Sequence, residues 1–392
     1  RHVLALATHH IAADGFSIGP MTRDLMIAYA ARSAGSEPGW APLAVRYADY
    51  TLWQQTVLGS ESDPDSPVSG QIRHWTRTLS GLPDESTFPG DRVRPDRSSY
   101  RGGNIRLTLD AQTHARLGAV ARANQSSLFM VLHSALAVLL SRLSGGTDIA
   151  IGTPVAGRGE AALDDVIGMF VNTLVLRTEI DPGAAFTELL ARTRNTDLSA
   201  FAHAEVPFER LVEVLDPPRS AARHPLIQVM LTVQNMEQTE LELPGLTVRG
   251  VDLDVETAKF DIQFTFTENQ ADGSSAIDVT FARDLYDEDT ARAFGERLIR
   301  VLESVGTDAE QPVGDIPVMD TAERDHVLAL AQDAPAVADS ADSIVSLFAA
   351  RVAENPDAAA VVFDGRSRTY GDIDTESTAL ARVLVAQGVG RE

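Results

Sequence analysis

No cysteine occurs among the 392 residues. That excludes disulfides, thiolate metal sites and a cysteine nucleophile. Positive charge is also scarce: 33 lysines and arginines stand against 56 aspartates and glutamates, a net charge of −23. A balance of this sign argues against a nucleic-acid-binding surface and serves solubility. Long apolar runs are lacking too. The most apolar stretch, 127–143, is interrupted by His133, Ser134, Ser141 and Arg142, so it reads as a core helix, not a membrane span. The chain opens on Arg1 instead of Met, without a signal peptide, and enters an apolar stretch at once. It reads as the interior of a longer, cytoplasmic polypeptide.

What is present starts with His9-His10-Ile11-Ala12-Ala13-Asp14-Gly15, two histidines, a carboxylate and a glycine in seven positions. The preceding Val3 to Thr8 is apolar on both alternating faces, the pattern of a strand buried on both sides. Alternation along such a strand points His9 and His10 to opposite faces, so only one serves a given cavity. A helix follows, with Pro20 suited to its first position and Gly35 to the residue past its end. Further helices are predicted over 45–58, with Tyr47, Tyr50, Trp53 and Val57 at helical spacing, and around Ile72, Trp75, Leu79 and Leu82. Tyr50 and Trp53 read as core. Strands are expected at 104–109, 149–151, 171–180, 226–234, 260–267 and 276–281, with helices between them and over 287–305. The mixture is α/β or α+β.

Boundaries follow from composition. The turn-rich 87–99 reads as a connection between lobes, and 307–342, rich in Asp, Ala and Pro, as an interdomain linker. From Ser343 a new unit starts: helix 343–354, strand 358–363, a hairpin turn at Asp364-Gly365, a strand starting at Arg368-Thr369-Tyr370 and helix 373–387. About 50 residues bury too little for an independent core, so this reads as the beginning of a domain.

Five segments resemble condensation domains of nonribosomal peptide synthetases, in the family's order. His9 to Gly15 resembles HHxxxDG. Tyr47-Ala48-Asp49-Tyr50-Thr51-Leu52-Trp53-Gln54 resembles Y-x-D-Y-x-x-W-Q. Ile167 to Thr173, with Leu176-Arg177, resembles I-G-x-F-V-N-T…L-R. Val206 to Glu213 resembles P-F-E-x-L-V-E, and His224 to Met230 resembles N-P-L-F-Q-V-M with His for Asn and Ile for Phe. The stretch from Ser343 is similar to the start of an adenylation domain.

The resemblance implies a two-lobed fold like chloramphenicol acetyltransferase, with a tunnel between lobes. Residues 1–86 would be the remainder of a mostly missing first lobe and 87–306 the second lobe. Residues 307–342 would be the linker and 343–392 the adenylation start. It implies amide-bond formation between a donor acyl or peptidyl thioester and an acceptor α-amine, of the subtype joining an L-donor to an L-acceptor. Both substrates would ride on 4′-phosphopantetheine of upstream and downstream carrier domains. No cofactor would bind directly, and ATP would belong only to the adenylation domain. The fragment alone would be inactive. The alternatives are an epimerisation domain, disfavoured because the segment after the motif lacks V-S-W, and a recruitment platform of the same fold, disfavoured because the motif is intact. Neither nucleic acid nor membrane is a partner.

A free α-amine is partly neutral at pH 7, so holding amine and carbonyl in line matters more than a strong base. An imidazole suits removal of the ammonium proton that attack generates. The resemblance gives that role to His10 and leaves His9 structural. It makes Asp14 a salt-bridged carboxylate that holds the loop, with an arginine partner in the missing lobe or, locally, Arg177. Gly15 would admit the phosphopantetheine arm, and Asn172 and Arg177 are candidate tunnel residues. No metal is expected: His203, Glu205 and Glu209 lack the spacing of HExxH. Ser17 and Ser199 lack a nucleophile elbow.

Overall fold

The computed structural model describes residues 2–234, 243, 245–248, 256–269, 271–332, 343–363 and 365–390. These fall into two compact units, Arg1–Asp320 and Thr321–Glu392.

The first unit is built on a six-stranded mixed sheet in the order β1-β6-β5-β4-β2-β3. The strands are β1 (Gly102–Leu109), β2 (Asp148–Val155), β3 (Asn172–Glu179), β4 (Val229–Gln234), β5 (Ile262–Glu268) and β6 (Ser275–Ala282). β4 runs parallel to β2 and β5, and the other pairs are antiparallel. One face of the sheet is covered by α4 (Ala111–Ala123), α5 (Leu128–Ser144), α6 (Phe186–Phe201) and α8 (Glu288–Thr307). Beneath β2 and β4 the other face is covered by α3 (Pro67–Thr78) and α7 (Phe208–Leu215). Alternation sorts the side chains: Ile149 and Ile151 pack with the first layer and Ala150 with the second, as do Val229 and Leu231 against Met230.

The most apolar segment is α5, capped by Ser127, whose hydroxyl accepts from Met130 N–H, and ended at Gly145 in the left-handed region (φ +77°). Its buried polar interruptions are satisfied inside the core. His133 pairs with Asp197 of α6 at 3.0 Å, and Ser134 donates to the Met130 carbonyl at 2.8 Å. Paired with α4 it makes one bent apolar helix pair, but among the described residues no single helix is long and apolar enough to cross a membrane.

Two expectations about the first unit change. Val3 to Thr8 is not a strand. It is exposed, with Val3 85% and Leu4 63% accessible, because no described strand offers it a ladder. The irregular 87–99 segment packs against the sheet: Phe88 is buried and Arg94 pairs with Asp261 of the segment leading into β5. Residues 307–320, expected within a linker, belong to the first unit's core, where Val313, Ile316 and Val318 are buried. Residues 333–342 lie outside the described residues.

The second unit contains α9 (Thr321–Gln332), α10 (Ile344–Glu354, capped by Ser343), the antiparallel pair β7 (Ala359–Phe363) and β8 (Arg366–Thr369), and α11 (Tyr370–Ala386). Gly365 takes the positive φ that the hairpin needs; Asp364 is outside the described residues. Tyr370 opens a helix instead of continuing a strand, because Thr369 and Asp372 form a capping box.

Candidate functional site

The histidine cassette is two consecutive short 3₁₀ turns, His10–Ala12 and Gly15–Ser17, leading into α1 (Ile18–Ser33). His9 caps the first turn, its Nδ1 accepting the Ile11 N–H at 3.1 Å. A nitrogen that accepts is unprotonated, so in neutral His9 the proton sits on Nε2. The neighbouring ring is the reverse. His10 Nδ1 lies 2.9 Å from the Ala13 carbonyl, which can only accept, so in the neutral ring Nδ1 carries the proton and Nε2 keeps its lone pair. The two rings thus differ by tautomer and hydrogen bonding, not by the alternation of a strand. Both are exposed.

Asp14 is the buried anchor. Its Oδ1 accepts from Ser17 N–H at 2.9 Å and lies 3.1 Å from the Arg158 guanidinium, while Oδ2 accepts from Phe170 N–H at 3.0 Å. Burial alone pushes this carboxyl up. The Phe170 amide, Ser17 and Arg158 outweigh it and hold the group below its ordinary value. Ser17 is fully buried, its Oγ 2.8 Å from Asp14 Oδ1 and accepting the Gly168 N–H at 3.1 Å. It is a fastener, its hydroxyl spent on the Asp14 carboxylate and the Gly168 backbone. Gly15 opens the second turn, half-buried.

Arg158 is the residue that sequence reasoning missed. It donates to the Leu163 and Val166 carbonyls as well as to Asp14, and its guanidinium lies 4.0 Å from the Phe170 ring centre. It follows Gly157, which has φ +64° and whose Cβ, were there one, would stand 2.0 Å from the Phe170 carbonyl oxygen. The one signal in the sequence was an arginine between two glycines just after a strand. Tyr47, first in α2 (Tyr47–Leu58), completes the seat. Its hydroxyl donates to the Met169 carbonyl at 2.6 Å, and its ring meets Phe170 edge-on at 5.1 Å. Tyr50 packs on Phe170 at 4.8 Å, whereas Trp53, expected in the core, is 49% exposed. Three segments far apart in sequence therefore converge: 9–17, 47–50 and 157–170.

Arg177 is not the partner of Asp14. It pairs with Asp148 across the β2–β3 ladder and donates to the Thr78 and Ser80 carbonyls at the end of α3. Asn172 is held by the backbone around it. Its amide nitrogen donates to the Ala204 and Val206 carbonyls at 2.8 and 2.7 Å, and its oxygen accepts from Phe208 N–H at 3.0 Å. It ties the start of β3 to the Val206-Pro207-Phe208 turn. His203 stacks on His74 at 3.7 Å. In the last motif, Gln228 accepts from Ser86 N–H and donates to the His224 carbonyl.

The profile of the condensation domain matches residues 1–328. The chain belongs to the condensation-domain family. Across its whole length it is 43% identical to a dimodular nonribosomal peptide synthase of Bacillus subtilis and 45% identical to a probable non-canonical nonribosomal peptide synthetase of Salinispora arenicola. It spans 17% and 5% of their lengths. Among solved structures it is similar to the X-domain in its complex with OxyB from teicoplanin biosynthesis. There the identity is 37% and the TM-score 0.74, over 80% of this chain and 69% of that one. A four-domain nonribosomal peptide synthetase bound to AMP and glycine shares the fold at 21% identity. Its TM-score is 0.68, over 98% of this chain and 29% of that one. The expected family and fold class hold: a mixed α/β condensation fold from nonribosomal peptide synthetases.

Proposed function

We propose that this condensation domain joins a carrier-bound donor acyl or peptidyl thioester to the α-amine of a carrier-bound aminoacyl acceptor, with His10 as the working group. The observation that carries this is the tautomer of His10. The His10 Nδ1–H donates to the Ala13 carbonyl and leaves Nε2 as the basic atom of an exposed residue. His9 spends its lone pair on Ile11 and has none to offer.

As the amine attacks the thioester carbonyl, the C–N bond forms and the nitrogen becomes an ammonium. Its proton passes to His10 Nε2, and the carrier thiolate leaves when the tetrahedral intermediate collapses. Asp14 takes no proton. Its lowered pKa keeps it a carboxylate clasped by Arg158, so it sets the position of the turn that carries His10. We assign Gly15 to the approach of the phosphopantetheine arm of a carrier domain, which is the substrate's handle. We assign residues 1–86 to the first lobe, 87–306, extended to 320 by the buried Val313, Ile316 and Val318, to the second, and 343–392 to the start of an adenylation domain.

The test places the chain in a complete elongation module with two loaded carriers and reads the carrier-bound product by mass spectrometry. His10→Ala should lower the rate of amide formation by about a hundredfold, the low end of general-base effects because the amine is partly neutral already. His9→Ala should retain more of the activity. Undiminished product from His10→Ala would sink the assignment.

A further inference from the structure

A cavity of about 580 Å³ opens at the other end of the sheet from the histidine cassette. The strands fix its place. β2 ends at Val155, close in sequence to Arg158, and β4 runs parallel to it from Val229. The cavity lies where β4 and β5 begin and β6 ends, floored by Phe260, Ala282 and Leu285. The 94–100 segment and the 220–225 segment form its sides, joined where Ser98 N–H donates to the Ala221 carbonyl at 2.9 Å. Its volume falls within the range of small-molecule sites.

Two further observations mark it out. Tyr100 lines it with φ +57°, a conformation that a large side chain rarely takes. That strain is held by the Ala258 N–H donating to the Tyr100 carbonyl at 3.0 Å. The second is charge. Of the 33 basic residues one is a lysine, Lys259, and it stands in this wall. The other wall charges are matched within the protein. Arg94 holds both oxygens of Asp261, at 2.8 and 2.5 Å, and also Glu85. Asp284 accepts the Ser99 N–H and hydroxyl at 2.7 Å each, and Arg223 pairs with Glu85 at 3.3 Å. Burial holds the His224 imidazole below its usual pKa, so the ring is neutral near pH 7. Lys259 is exposed and forms no ion pair among the described residues. Its ammonium is a compact point charge on a flexible stem, able to meet a head group of variable depth.

We infer that this cavity binds one amphiphilic organic anion, its apolar body against Phe260 and Leu285 and its carboxylate or phosphate head at Lys259. The site is independent of the amide-forming chemistry and stands or falls without it.

Calorimetric titration of the 392-residue chain tests it with four probes: octanoate, octyl phosphate, octanol and inorganic phosphate. One saturable site is expected for an octyl anion, and whichever head binds more tightly identifies the ligand's anion. Octanol (body alone) and inorganic phosphate (head alone) should each bind at least about fivefold more weakly. Lys259→Gln should weaken the octyl anion about fivefold, the size of an exposed ion pair, and flatten its salt dependence. Ala222→Trp fills the space from the rim and should abolish binding, with far-UV circular dichroism unchanged. An affinity that survives either substitution overturns the proposal, as does the absence of saturable binding by both octyl anions.

Discussion

A single carboxylate does the most at the residue scale. Asp14 is buried, and its two oxygens meet an arginine and backbone N–H groups of two different segments. Removing the charge leaves Arg158 clasping a neutral amide in a buried place. Asp14→Asn should therefore cost about 3 kcal/mol of unfolding free energy in denaturant titrations near pH 7. The sign of the pH dependence follows from the direction of the shift. A carboxyl whose pKa is lowered by folding contributes stability that is fully present above the unfolded value, about 4. That contribution is lost as pH falls through the lower, folded value. The gap between parent and Asp14→Asn should be constant from pH 7 to about 5 and shrink below about 4. A gap that widens on acidification would contradict the ion-pair account.

Elements meet at two fastenings, and each predicts a cost. Gly168 has no room for a methyl group: a Cβ there would stand 2.2 Å from the Tyr47 ring and 3.0 Å from the Phe170 ring. Gly168→Ala should destabilise the chain by about 1–3 kcal/mol, the range of overpacking. Adding Tyr47→Ala should recover part of that loss if the clash is the cause, as a double-mutant cycle by thermal unfolding would show. The second fastening is Asn172, whose amide satisfies two carbonyls and the Phe208 N–H, and whose loss leaves these groups unmade. Asn172→Ala should cost about 2 kcal/mol. It should also speed amide exchange at Phe208, which a surface asparagine would not do.

For the whole molecule, the two units differ in what they bury. The first carries a core with fully buried Trp75, Leu136, Phe186 and Phe264. None of the described residues of the second is buried, and Ile344 and Phe363 are 87% and 80% exposed. Hydrogen exchange should report this directly. Amides of α5, β2 and β5 should exchange slowest, near the global unfolding limit, and those of β7 and β8 within seconds to minutes. Equal protection in both units would refute the contrast.

The sequence by itself determined what local physics controls. The largely apolar α5 and the strands were legible because side-chain period is written in neighbouring residues. The histidine motif and its four companions gave the family, since order and spacing survive in one dimension. The extended Val3–Thr8 misled because apolar alternation signals a strand only where another strand supplies hydrogen bonds. Only the tertiary structure decided who meets whom. Arg158 reaches Asp14 across 144 positions, Asn172 clamps the Val206-Pro207-Phe208 turn, and Arg177 serves Asp148. The tautomers of His9 and His10 were equally out of reach. A ring nitrogen's proton is set by the one carbonyl or amide it touches, and that contact exists only once the chain has turned.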